Sequence, residues 1–409
     1  MAKSRFGYLL YRWHAWVGLF SGAFLVIICV TGSVAVFRPE IERAVDWGGY
    51  DFNVVPVGEP ISLERAIEIA RAKYPGGVVT AANLPALPGS WQSHGPAYSV
   101  TVNAGRGAGN RHVLIDPYRA AVVAEMRPNS GWGNWLRQLH IRFLYFSFWG
   151  RYIVGLFGIA LLFVTVSGLF IFARFNANTW RPKIRRGRGP RIFLADLHKV
   201  TGLSSVAFNV VFGLTGAVLG LEGVYHKWIA APEKAPRRAA VAQLAPGRLQ
   251  GFIHRAAELV PGARPAGADL SLRNGTVRVR LQHATAALIR EGENSVLFDA
   301  ASGDVIQVKD ARRATAAARF YFAMEPLHFG RLGGAMWVKL LWGAMGLTGG
   351  ALSITGFAIY VLRKRKPKRA SAPEAAAPDA GVADAGAAGD LDELVAGAAG
   401  GSSSPTCSV

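Results

Sequence analysis

Cysteine is nearly absent from this chain of 409 residues: Cys29 and Cys407 are the only two. Two thiols so far apart in sequence cannot build a disulfide framework, and the two residues that follow Cys407 are too few for a prenylation box. Charge is scarce as well, at 18% against 51% hydrophobic content, which points away from a purely soluble protein. Acidic residues are the rarer sign, 26 against 46 basic ones, for a formal net charge of +20. Much of that surplus lies in "RFNANTWRPKIRRGRGPR" and "RKRKPKR", directly after apolar runs. Anionic lipid and membrane topology therefore account for it more simply than nucleic acid does. A Gly-rich dinucleotide fingerprint is also missing.

Long apolar runs are present instead. Residues 15–37, 152–173, 200–221 and 340–362 are uncharged, and each reaches the roughly 20 residues a helix needs to cross about 30 Å of hydrocarbon. The first run is too long for the apolar part of a cleaved signal and is expected to stay in the protein. Juxtamembrane Lys and Arg resist translocation, so both basic segments and the N-terminus with Lys3, Arg5 and Arg12 are expected in the cytoplasm. Two long loops then lie outside.

The expected order is 1–37 for the N-terminus and first transmembrane helix, 38–149 for a first outside domain, and 150–175 for the second helix. A basic cytoplasmic loop (176–197), a third helix (198–221), a second outside domain (222–333) and a fourth helix (334–362) follow. Residues 363–409 form a tail, basic and then rich in Ala, Gly and Ser, which lacks the material for a core.

The two halves repeat one another. His14 precedes the Thr31-Gly32 pair by the interval that separates His198 from Thr215-Gly216. His140 in "LHIRF" and His328 in "PLHFG" stand at matching distances before Gly155 and Gly343, Gly158 and Gly346, and Gly168 and Gly356. Outside the membrane, "ISLERAIEIARAKYPG" reads as an amphipathic helix with Leu63, Ile67 and Ala70 on one face, and "RLQGFIHRAAELVPG" is its counterpart. Strand-like "AYSVTV" and "TVRVRLQ" follow, with hairpins expected around "IDPYRAAVV" and "FDAASGDVI".

The combination of "RWHAWVGL", "LH", "DLHKVTGL" and "PLHFG" with Thr-Gly or Ser-Gly in the spans resembles the PepSY-associated transmembrane family over roughly Tyr8 to Arg365. The resemblance implies a membrane α-helical four-helix bundle with two periplasmic α+β, PepSY-like domains and an internal duplication. Members include inner-membrane ferric-siderophore reductases of Gram-negative bacteria that carry b-type haem, and others without a settled activity.

Two axial histidines fill the coordination of a haem iron and suit electron transfer. His14 and His198 lie at cytoplasmic helix ends, whereas His140 and His328 precede helices two and four on the outer side. Two bis-histidine haems b, one near each leaflet, are the natural pairing. Gly18 and Gly202, one turn beyond their histidines, would admit a flat porphyrin face. Packing of membrane helices explains any single glycine as well, and an interfacial hydrogen bond any single histidine.

The outer pair carries a difficulty: His140 is 12 residues before Tyr152, which a straight helix would turn into about 18 Å of height. The apolar "IRFLYFSFWG" could instead lie in the interface. His226 is the rival ligand on that side. Arg12, Lys199, Arg142 and Arg331 are candidate partners for the porphyrin's carboxylates, although membrane anchoring accounts equally for the first two. His94, His112, His254 and His283 read as surface histidines.

On this resemblance the chain passes electrons across the inner membrane to Fe(III)-siderophore at the periplasmic face, with both termini cytoplasmic. Expected partners are the ferric siderophore, the bilayer, a quinol or redox protein as donor, and an outer-membrane siderophore uptake system. Trp91, Trp132, Trp135 and Tyr321 could help to dock the acceptor, and interfacial aromatic belts explain several of them equally. No CxxCH box is present for c-type haem. Two other readings stay open: a non-redox, membrane-anchored binding or regulatory protein, and a haem reductase of another periplasmic acceptor.

Overall fold

The computed structural model describes residues 5–46, 54–86, 94–105, 107–143, 149–175, 183–223, 237–283, 288–332 and 335–364. Four helices are long and apolar enough to cross a membrane: α1 (Arg5–Ala35), α4 (Gly150–Phe175), α5 (Pro190–Gly220) and α8 (Met336–Lys364). Between them come α2 (Leu63–Lys73), α3 (Gly131–Arg142), α6 (Arg248–Leu259) and α7 (Ala316–Phe329). The third span begins at Pro190, earlier than the expected 198, because proline suits a first helical turn. His198 consequently sits inside a helix.

The long helices form a ring in which α1 touches α4 and α8, and α5 touches the same two. Small residues let the backbones approach: a Cβ on Gly158 would come 2.5 Å from the Ala217 nitrogen, and one on Gly220 2.5 Å from Gly155 Cα. On the other side, a Cβ on Gly346 would meet Ser33 Oγ at 2.5 Å. Gly155, Gly158 and Gly346 of the repeated pattern are thus helix-packing residues.

The two outside segments, expected as separate α+β units, share one antiparallel sheet of order β4-β3-β2-β1-β5-β6-β7-β8. The first repeat supplies β1 (Val78–Asn83), β2 (Tyr98–Asn103), β3 (Asn110–Asp116) and β4 (Ala121–Met126). Those of the second are β5 (Ala263–Ser271), β6 (Thr276–His283), β7 (Asn294–Asp299) and β8 (Val305–Lys309). The repeats join at the pairing of Ala81, Ala82 and Asn83 with Asp269, Ala268 and Gly267. Glycine is needed there, since a Cβ on Gly267 would lie 2.5 Å from the Ala82 carbonyl oxygen.

Leu63, Ile67 and Ala70 of α2 and Leu249, Phe252 and Ile253 of α6 cover one sheet face, where alternate residues such as Val100, Val102, Val277, Val279 and Phe298 are buried. Phe252 stacks on Phe298 at 4.7 Å. Glu64 of the first repeat caps α6 of the second, accepting from the backbone nitrogens of Gly247, Leu249 and Gln250 at 2.8, 2.7 and 3.1 Å. The two expected hairpins form, each turned by an aspartate: Asp116 accepts from Tyr118 and Arg119, and Asp299 from Ala301 and Ser302.

Two of the four histidines expected at the surface are buried. His94 is 5% exposed and bonds the Leu84 carbonyl oxygen at 3.0 Å, and His283 is 6% exposed with Asp310 3.9 Å away. Burial and its neighbours His112 and Arg280 outweigh the Leu84 bond and pull the His94 pKa down to about 4.

Candidate cofactor site between facing histidine pairs

Four histidines meet in two pairs, each across the boundary between repeats. The rings of His14 (α1) and His198 (α5) have centroids 6.5 Å apart and stand nearly perpendicular. Those of His140 (α3) and His328 (α7) are 6.0 Å apart and tilted by 40°. The second pair depends on two helices that fold back onto the ring. α3 packs on α1 and ends at Phe143, whose φ of 46° is left-handed. α7 packs on α5 and ends at Gly330, also left-handed, with the Leu327 carbonyl held by Trp342 Nε1 at 2.8 Å. His140 is therefore not raised 18 Å above the bundle; it lies beside Thr31 near the end of α1.

Each ring is anchored through Nδ1 within its own repeat. The partners are Ser167 Oγ for His14 (3.0 Å), Thr355 Oγ1 for His198 (2.9 Å) and Thr215 Oγ1 for His328 (2.8 Å). His140 has two, the Ile28 carbonyl oxygen at 3.0 Å and Thr31 Oγ1 at 3.3 Å.

The hydroxyl protons are already committed to the backbone. Ser167 donates to Phe163, Thr355 to Ala351, Thr215 to Val211 and Thr31 to Ile27, all within 2.8 Å. Each oxygen can then only accept, so Nδ1 carries the imidazole proton and Nε2 keeps its lone pair. That tautomer, held by a bond at the other nitrogen, is the one that ligates metals.

An imidazole nitrogen bonds a first-row metal at about 2 Å and the ring centre lies about 1 Å further out, so two rings on opposite sides of one ion keep their centroids about 6 Å apart. Both pairs meet that requirement. Each pair offers two imidazoles, so it suits an ion that brings its own equatorial donors, as a porphyrin iron does.

A glycine follows each anchoring hydroxyl and faces the anchored ring. A Cβ there would approach Cε1 of His140 to 2.6 Å from Gly32, of His14 to 3.1 Å from Gly168, of His328 to 3.4 Å from Gly216 and of His198 to 3.5 Å from Gly356. The Thr-Gly and Ser-Gly repeats carried this signal, but each dipeptide serves a histidine on a neighbouring helix. Gly18 and Gly202 do not touch the rings. Their added Cβ would meet only Val164 at 4.0 Å and Leu352 at 3.6 Å.

The basic candidates divide. Arg12 sits 5.7 Å over the Tyr8 ring, and Lys199 lies 3.9 Å from Asp196, which Arg185 holds bidentately at 2.8 Å. Arg331 bonds Glu325 at 2.9 Å, and Arg142 has its Nε buried with no hydrogen-bond partner among the described residues. His226 and Trp91 lie outside the described residues. Trp132 and Trp135 are exposed and 5.1 Å apart on α3.

Sequence reasoning missed Glu222, just beyond α5. It accepts from Arg151 and Arg290 at 2.9 Å each and from the Tyr321 hydroxyl, tying α4, α7 and the loop before β7 together. Burial would raise its pKa, but these bonds prevail and hold it at about 2.

The description of a PepSY-associated TM region matches residues 11–363. An uncharacterized protein of Pseudomonas aeruginosa is 31% identical over 272 residues, which cover 59% of this chain and 64% of that relative. The chain thus aligns with somewhat under two thirds of that relative's length. With the family match spanning both repeats and all four long helices, the chain belongs to the PepSY-associated transmembrane family.

Proposed function

We propose that each histidine pair holds one haem b and that the chain carries electrons from one membrane face to the other, delivering them to Fe(III)-siderophore. The observation that carries this reading is the fourfold Nδ1 anchoring, which turns two facing pairs of imidazoles into metal-ligating tautomers at a two-ligand spacing. Haem held by His14 and His198 or by His140 and His328 would supply reversible one-electron chemistry.

The residues do the rest by position. His14 and His198 mark one end of the helix ring, and His140 and His328 the end that leads to the sheet. In this reading the basic segments face the cytoplasm, both termini lie there, and the sheet stands in the periplasm of an inner-membrane protein. One electron converts Fe(III) to Fe(II), which oxygen-donor chelators hold far less strongly, so the metal is loosened. A quinol or a redox protein is the source of that electron.

A visible spectrum of the purified protein, with haem quantification in wild type and in His14→Ala, His198→Ala, His140→Ala and His328→Ala, tests the reading. Two haems in the wild type, one lost in each variant and the same one within each pair, is the expected pattern. A colourless wild type, prepared with haem supplied, would end it in favour of a non-redox binding protein. Reoxidation of the reduced protein by ferric siderophore, compared with quinone and copper, identifies the acceptor.

A further inference from the structure

The sheet face opposite α2 and α6 is built differently in the two repeats. In the first, Ala97 and Leu114 are fully buried there beneath Val123, Ala124 and Met126. The second places Thr276, Arg278 and Leu297 on that face, and with Asp269, Ser271, Asn274 and Arg237 they line a cavity of about 300 Å³. The strand registers put Arg278 where the first repeat has Ser99. One copy is closed by apolar packing; the other is open and polar.

The cavity wall is fixed. Arg237 enters on a segment pinned by two backbone bonds, Arg238 N to Asn274 O and Val241 N to Leu272 O, each 2.9 Å. Asp269 is taken by Arg280 at 3.2 Å. The guanidinium groups of Arg237 and Arg278 have no ion pair or hydrogen bond among the described residues, and both line the same space. Two unpaired cations with Ser, Thr and Asn donors beside them match the oxygens of an anion. The volume is that of a small ligand.

The location separates this cavity from the histidines. β6 runs from Thr276 at the cavity to His283, about 23 Å at strand rise. The loop that follows carries Arg290, which bonds Glu222 next to the membrane helices. The cavity thus lies at the far end of β6 from the segment that meets Glu222.

We propose that this cavity is a binding site for a small oxyanion, a carboxylate or phosphate compound, gripped by Arg237 and Arg278. Calorimetry of the full chain in detergent, with citrate and with inorganic phosphate as probes, tests it without reference to haem. Wild type binds at least one of them, and Arg278→Ser, which restores the residue of the first repeat, weakens binding about tenfold or more. Arg237→Gln does the same and guards against misfolding of the strand variant, while Arg65→Gln on α2 leaves binding intact. Citrate alone identifies a carboxylate ligand, and phosphate alone a phosphate one. Failure of the wild type to bind either probe, or unchanged affinity in both cavity variants, overturns the site. A colourless preparation would sink the haem reading and leave this result standing.

Discussion

His328 donates its Nδ1 proton to Thr215 Oγ1 across 2.8 Å and to nothing else among the described residues. Its mate His140 has two acceptors, Thr31 and the Ile28 carbonyl. The facing rings are therefore unequally secured. Thr215→Val, which keeps the shape and removes the acceptor, frees His328 to rotate and change tautomer. Loss of such an orienting bond costs about 10- to 100-fold in metal affinity. Thr31→Val leaves the Ile28 bond and should cost much less. On the proposed haem reading, retention of haem on dilution, followed optically, measures the difference; equal losses in the two variants would remove the orienting role from Thr215.

The four ring-facing glycines make a graded series. Alanine at Gly32 puts a methyl 2.6 Å from His140 Cε1, far inside contact distance, whereas at Gly356 the gap to His198 is 3.5 Å, an ordinary contact. On the proposed haem reading, Gly32→Ala should displace the imidazole and convert a share of one haem to high spin, and Gly356→Ala should leave the spectrum unchanged. Electron paramagnetic resonance of the oxidised protein reads both, and indifference to Gly32→Ala would contradict the close approach.

Much of this arrangement was legible in the sequence, and the duplication made it so. Matched intervals identified the four histidines and their pairing, because a repeated helix pair brings equivalent residues to a common axis. The hydroxyl anchors were visible as residues but not as partners, since the intervals run along one helix and the bonds cross to another. α3 stops at Phe143 with φ 46°, a conformation that a phenylalanine does not advertise. Fusion of two small units into one sheet turns on Gly267 and three residue pairs, too short a feature for periodicity to find.

Glu64 joins the repeats through charge rather than packing. Its carboxylate takes three backbone nitrogens at the start of α6, donors that α6 itself cannot satisfy. Glu64→Ala should lower the stability of the sheet region by about 1–2 kcal/mol. Thermal melting under reversible conditions measures it. The histidine pairs lie elsewhere, so the visible spectrum should not change.

His94 gives the same region a pH dependence. Its folded pKa of about 4 lies below the ordinary histidine value of about 6.5, because burial, with His112 and Arg280 nearby, outweighs the bond to Leu84. Between those values the unfolded chain binds the proton and the folded one does not. Stability is therefore complete above pH 6.5, falls as the pH drops toward 4 and levels off below it, by about 3 kcal/mol at most for this one group. Glu222, held at about 2, stays ionised in the folded chain across this window; its unfolded carboxylate begins to titrate near 4.5, a background that wild type and His94→Gln share. Amide exchange of β2 and β3 between pH 7 and 4.5, corrected for intrinsic rates, should show the loss in wild type and a flatter profile in His94→Gln. A wild-type profile as flat as that of the variant would mean that His94 protonates in place, and that its burial does not set the acid sensitivity of the sheet.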